Sequence, residues 1–183
     1  MSIESQINNI LGYNVVSKVT IKDRAIKIYK ILTDKGDTFL AKYQEKPSDN
    51  LINQAKELNL LRNYIHTPDV IWVSEQYQVL EWIEEKSQKN YQIQIGRALA
   101  NLHHTTHSTF GFDFDNSIGE MPQYNAINTD ITSWKEFYWQ YRLKYQIECA
   151  NKSKLFDQAL YEQLLSIESK LSRYIDNTNK PSL

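Results

Sequence analysis

The chain has 183 residues, of which 41% are hydrophobic and 23% charged, and a formal net charge of −1, enough for one sizeable core or two small ones. Acids and bases are interleaved, which gives no field for collecting polyanions and argues against nucleic acid as a principal partner. No apolar run approaches bilayer length, the opening MSIESQINNILGY lacks the marks of a signal peptide, and the single Cys149 cannot close an intrachain disulfide; a cytoplasmic chain without a membrane partner is expected.

Ile3, Ile7, Ile10 and Leu11 fall at helical spacing and Gly12 follows as a stop, so the chain is predicted to open with a short packing helix. Val15 to Ile21, Ala25 to Thr33, and TFLAKYQ from Thr38 read as three antiparallel strands, the last two joined through the glycine-containing turn Asp34 to Asp37. In the third strand, Leu40-Ala41-Lys42 sets a lysine among apolar neighbours, either a solvent-facing residue or one that meets phosphates. Leu51 to Tyr64 is predicted helical, with Ser48 or Asp49 as its N-cap and Leu51, Ala55 and Leu58 on its buried side. Asp69 to Glu75 and Tyr77 to Ile83 read as two further strands around a tight turn.

Glu84 to Asn90 is short and polar, and the domain boundary is placed just before it, dividing the chain into 1–83 and 84–183. Tyr91, Ile95, Leu99 and Leu102 then repeat at helical spacing up to His103, and Gly96 within them predicts a close helix crossing. His103, His104 and His107 raise a metal reading, but a site needs further ligands that the neighbouring sequence does not supply, and a structural role is the plainer alternative. Phe110 to Asn125 is predicted as a turning loop because it holds Gly111, Gly119 and Pro122, and it carries Asp113, Asp115, Asn116, Gln123 and Asn125. Two long helices follow, Ser133 to Asn151 and Leu155 to Ile175. The first is dense in aromatics, which mark core more often than a ligand site, with Arg142 as its exception. The second lines Phe156, Leu160, Leu164, Ile167, Leu171 and Ile175 along one packing stripe.

The stretch IGRALANLHHTTHSTFGFDFDNSIGEMPQYN, followed by SWKEFYWQYRLKYQIECA, resembles the fructosamine kinase (ketosamine kinase) family, relatives of the aminoglycoside phosphotransferases. The match runs in order through Gly96, Leu99 to His103, Phe110-Gly111, Asn116, Ile118-Gly119, Pro122-Gln123, Asn125, Trp134, Phe137, Arg142-Leu143 and Gln146. The resemblance implies an α+β, protein-kinase-like fold: a five-stranded antiparallel N-lobe with one main helix, ending in a hinge, then a mostly helical C-lobe.

It also implies roles. Lys42 would contact the phosphates of ATP, with Gln54 or Glu57 orienting it, and Glu81, Trp82 and Ile83 would offer hinge backbone to adenine. Asn116, Gln123 and Asn125 would stand on the acceptor side, their amides suited to sugar hydroxyls, with bonding inside their own loop as the alternative. Two departures stand out. Gln54 occupies the position of the family's glutamate, and IKDRA (Ile21 to Ala25) replaces a glycine-containing phosphate turn, leaving Lys22 and Arg24 to offer charge. Pro181-Ser182-Leu183 resembles the lead into the catalytic loop, so the catalytic aspartate and the Mg2+ ligand are expected beyond Leu183.

The reading that follows is an ATP- and Mg2+-dependent ketosamine kinase, present here as a truncated chain inactive alone, whose acceptor is a small-molecule or protein-linked ketosamine. Apolar C-lobe helices left uncovered would favour self-association. The alternatives are a degenerate kinase-like binding module without catalysis and a plain helical interaction protein with a small sheet.

Overall fold

The computed structural model describes residues 3–85, 90–119, 121–125, 127, 129–175 and 181. Residues 86–89 of the predicted polar connection, and all of the closing NTNKPSL except Pro181, lie outside the described residues. The chain divides into two compact units, Met1–Leu99 and Ala100–Leu183.

The first unit is built on a five-stranded antiparallel sheet, β1 (Val15–Lys22), β2 (Ile26–Thr33), β3 (Thr38–Gln44), β4 (Val70–Val73) and β5 (Tyr77–Glu81), in the order β1-β2-β3-β5-β4. Its two faces are dressed differently because strand side chains alternate. Tyr29 pairs with Ala41 and Ile31 with Phe39 in the β2–β3 ladder, and this face packs on Ile7 of helix α1 (Ile3–Leu11). Ile7 and Ile31 have no exposed surface, so each contributes about 1.5–3 kcal/mol of burial. Gly12 ends α1 at φ +71°, the left-handed conformation that a helix C-terminus favours in glycine.

The opposite face carries Lys42, which lies across from Ile28 on β2 and Gln78 on β5. Helix α2 (Asn50–Leu61) covers part of it, burying Leu51 and Ala55, and the Leu51 carbonyl accepts a 3.2 Å bond from Gln78 Nε2. Asp49 is the N-cap of α2 but its side chain makes no cap bond; Ser48 Oγ accepts from Asn50 N instead, at 3.4 Å. The helix stops at Leu61, short of the predicted Tyr64, because the chain tightens into a turn in which Tyr64 N and Ile65 N both donate to the Leu61 carbonyl.

Helix α3 (Tyr91–His104) forms as its periodicity predicts, but of its apolar positions only Leu102 is buried, while Tyr91, Ile95 and Leu99 are exposed. Spacing determines which residues share a face and does not supply a cover for it. Gly96 likewise has nothing within 4 Å of the place a Cβ would occupy, so the predicted close crossing is absent among the described residues.

In the second unit, the stretch predicted as a loop contains a small hairpin, β6 (Asn116–Ile118) with β7 (Met121–Gln123), turning at Gly119 with φ +64°. The first predicted long helix is α4 (Trp134–Tyr138), a π-helical turn Trp139–Leu143, and α5 (Lys144–Lys152). Ser133 opens it by accepting from Glu136 N at 3.3 Å, half of a capping box. The second is α6 (Gln158–Leu165), capped by Asp157 on Leu160 N at 2.8 Å, which tightens into a 3₁₀ segment Ser166–Arg173. Phe156, Leu164, Ile167 and Ile175 of the predicted stripe pack around Trp139, Ile147 and Leu171, whereas Leu160 is exposed.

Candidate functional site

Lys42 is the better-defined of the two groups of candidate residues. Its Nζ donates to Gln54 Oε1 at 2.9 Å, and Gln54 Nε2 donates in turn to Asn50 Oδ1 at 3.1 Å, one helical turn earlier. An ammonium has only donors, so the amide must present its oxygen to Lys42, which leaves the NH2 for Asn50. Burial pushes the Lys42 pKa below its ordinary value, and the charge on Glu57 opposes part of that shift. Glu57 therefore acts on Lys42 through the field, while Gln54 is the hydrogen-bond partner. Directly across the ladder, Gln78 is fully buried and its Oε1 lacks a partner among the described residues, a cost of about 1–3 kcal/mol.

At the predicted hinge, Glu81 N bonds the Asp69 carbonyl at 2.8 Å while Glu81 Oε2 accepts from Asp69 N at 3.1 Å, so this carboxylate is spent on holding β4 to β5. Trp82 Nε1 donates to Glu84 Oε1 at 2.7 Å, and Lys30 Nζ sits 4.2 Å from the centre of the Trp82 ring and 3.4 Å from the same Glu84 oxygen. Ile83 is exposed. Lys30 and Glu84 are 54 residues apart, and no local pattern in the sequence points to their meeting. In the β1–β2 turn, Asp23 pairs with Lys27 at 3.5 Å.

The second group lies within the second unit. Hairpin register sets Asn116 directly opposite Gln123, and both line a cavity of about 240 Å³ together with Gly111, Phe112, Ile118, Asn125 and Arg142. The three acceptor-side candidates are thus brought together. Asn125 is the knot beneath them: its N–H donates to Asp115 Oδ1 at 2.7 Å, and its Nδ2 to the Phe114 carbonyl at 2.6 Å and to Asn116 Oδ1 at 3.3 Å. Its remaining oxygen accepts from Arg142 Nη2 at 2.8 Å. Asn125 is 5% exposed, and these bonds spend its NH2 on the loop itself and its oxygen on Arg142. Gln123 Nε2 bonds the Pro122 carbonyl at 3.2 Å.

Arg142 comes from the π-helical turn, a rare geometry that recurs at functional positions. Its Nη1 donates to the Tyr124 and Tyr141 carbonyls, and its guanidinium stacks 4.7 Å over the Phe137 ring. Burial lowers its pKa, with Asp115 opposing. Gly111 completes the packing at φ +84°, where a Cβ would stand 2.4 Å from Asn125 Oδ1. The sequence flags Arg142 as the odd cation of an aromatic helix but gives no sign of Phe112 or Gly111 as cavity walls.

His107 Nε2 stands 3.5 Å from Asp113 Oδ1, and its Nδ1 is within 3.3 Å of Thr109. Among the described residues no group of three or more histidine, cysteine or acidic residues is placed to hold a metal ion. No helix is long and apolar enough to cross a membrane.

Comparison with known proteins finds relatives of one kind. The chain is 28% identical over 152 residues to a protein named as a probable ketoamine kinase from Enterococcus faecium, covering 81% of this chain and 53% of that one. It is 34% identical over 103 residues to the chloroplastic protein-ribulosamine 3-kinase of Arabidopsis thaliana, covering 55% of this chain and 30% of that one. The chain thus spans about half, or less, of the length of these relatives. A crystal structure of a candidate fructosamine-3-kinase from Thermobifida fusca superposes with a TM-score of 0.83 at 18% identity, over 99% of this chain and 65% of that one, which establishes the kinase-like fold. The sequence pattern of the fructosamine kinases matches residues 2–183, and the chain belongs to that family.

Proposed function

We propose that these residues form the nucleotide side and part of the acceptor side of an ATP-dependent kinase that phosphorylates a sugar hydroxyl of a glycated amine. The observation that carries the reading is Lys42, half-buried on β3 and held by Gln54 of α2, which resembles the lysine-to-helix pair of kinases with an amide in place of the glutamate. The residues fit a phosphate group there: Lys42 Nζ is a donor held by the neutral amide of Gln54, which sets no negative charge of its own against a phosphate. The backbone of Glu81 to Ile83 is the proposed adenine contact, and the cavity beside Asn116, Gln123 and Asn125 the proposed acceptor contact.

Mg2+ would supply charge neutralisation on the phosphates in such a reaction, and among the described residues no group of three or more histidine, cysteine or acidic residues is placed to hold it. We propose that the 183 residues alone bind nucleotide without transferring phosphate. The exposed apolar positions of α3 are the proposed route to self-association.

Titration of the chain with ATP, followed by tryptophan fluorescence, tests the reading. Saturable binding that Lys42→Met weakens at least about tenfold supports it; binding unchanged by that substitution overturns the role of Lys42. Ketosamine-dependent ATP consumption by the 183 residues, lost with Lys42→Met, would overturn the inactivity.

A further inference from the structure

The charge balance of the cavity in the second unit says more than its shape. Arg142 is the only ionisable residue that lines it among the described residues; the rest are Gly111, Phe112, Ile118 and the amides Asn116, Gln123 and Asn125. The guanidinium's hydrogen-bond partners are the Tyr124 and Tyr141 carbonyls and Asn125 Oδ1, all neutral oxygens. It has no carboxylate within salt-bridge distance among the described residues: Asp115 acts on it only through the field, and the Asp115 carboxylate is engaged by Asn125 N. Of its N–H groups, the two on Nη1 and one on Nη2 are engaged, leaving Nε–H and the second Nη2–H without partners among the described residues.

These two N–H groups are donors that a carboxylate can accept from, the chemistry for which arginine is suited. A partly desolvated cation with no carboxylate at salt-bridge distance among the described residues also gains more from an incoming anion than a surface arginine does, because the half-buried Phe112 wall weakens screening. At about 240 Å³ the cavity is smaller than the roughly 300–1,000 Å³ of drug-sized pockets and holds one small molecule.

We infer that this cavity binds the carboxylate of a small organic acid, with Arg142 as the specificity-determining residue. Resting on the acceptor reading above, the ligand class is a glycated amino acid with a free carboxylate, its sugar hydroxyls meeting the Asn116 and Gln123 amides.

The test is calorimetric titration of the chain with N-(1-deoxyfructosyl)glycine, its methylamide, which lacks the carboxylate, and glycine, which lacks the sugar. The acid is expected to bind about tenfold or more tighter than the methylamide. Asn116→Asp keeps the oxygen that accepts from Asn125 and sets a negative charge against Arg142, so it should remove that preference. Should this variant not fold, Ile118→Glu at the 72% exposed rim sets a like charge at the same mouth.

Equal binding of the acid and its methylamide overturns the carboxylate inference and leaves the acceptor reading standing. Binding of glycine as tight as that of its fructosyl derivative supports the carboxylate site and removes the sugar from it. Failure of all three to bind overturns the site, while the nucleotide reading still stands or falls on Lys42.

Discussion

Lys42 is held by an amide where the family places a carboxylate: its Nζ lies 2.9 Å from Gln54 Oε1, and the NH2 of that amide is steered by Asn50 Oδ1 at 3.1 Å. The lysine is positioned by a neutral partner, while burial lowers its pKa and the charge on Glu57 opposes part of that shift. The contact joins β3 to α2, so it belongs to stability as well as to function.

Removing the amide should separate those contributions. Gln54→Ala strands a half-buried ammonium and is expected to cost about 1.5–3 kcal/mol by urea unfolding, the range for hydrogen bonds to charged groups. Gln54→Glu, which keeps an acceptor at the same place, should cost well under half of that.

The Lys42 titration predicts how stability changes with pH. Its folded-state pKa is lowered, chiefly by burial. Below that lowered value the amine is charged in both states, and burying the charge destabilises the fold. Between it and the ordinary value of about 10.4 the unfolded chain binds more protons, so this contribution to stability rises with pH; above the ordinary value the penalty is gone. Melting temperature against pH for the chain and for Lys42→Met should therefore converge or cross in that alkaline window. Tyr77 and Tyr145, whose pKa values are raised, the second to about 12, contribute equally to both proteins and cancel in the difference.

Gly111 is predicted to tolerate no side chain. At φ +84° an alanine is strained by about 1–3 kcal/mol, and its Cβ would meet Asn125 Oδ1 at 2.4 Å. Gly111→Ala should lower stability by at least about 2 kcal/mol and disturb the Asn125–Arg142 bond, seen as lost protection of the Asn125 amide in hydrogen exchange.

Trp82 offers a finer test of the hinge. Its contacts with Lys30 and Glu84 are part-exposed, worth about 0.5–1 kcal/mol for the cation–π pair. Lys30→Ala should therefore change stability little. If the segment Glu81 to Ile83 carries adenine, the same variant should weaken ATP binding several-fold with adenine nucleotides and leave inorganic triphosphate unaffected. Equal losses for both would point to bulk charge instead.

The sheet was legible because its strands alternate, which sets Ala41 and Lys42 on opposite faces, whereas Tyr29 and Ile31 join the Ala41 face only through the β2–β3 register. The turn at Gly36 and the stop at Gly12 were legible because only glycine takes their positive φ at no cost. The gathering of Asn116 with Gln123 was half legible, since both stand in one polar stretch, but the hairpin register that makes them opposite partners was not. Three-residue strands are too short for periodicity to show. Gly96 misled because a glycine inside a helix usually marks a close crossing, and here nothing among the described residues approaches it.

By itself the sequence determined the alternation of strands and helices, the lysine on the third strand, the amide at position 54 and the polar stretch from Phe110 to Asn125, all of them local patterns of spacing and composition. Tertiary structure alone decided that Gln54 rather than Glu57 bonds Lys42, that Lys30 and Glu84 close around Trp82, and that Arg142 swings from a π-helical turn onto Asn125 with no carboxylate at salt-bridge distance among the described residues. Those outcomes depend on distances between residues far apart in the chain and on helical phase. A one-residue slip, such as the π turn introduces, redirects a side chain without leaving any mark on composition.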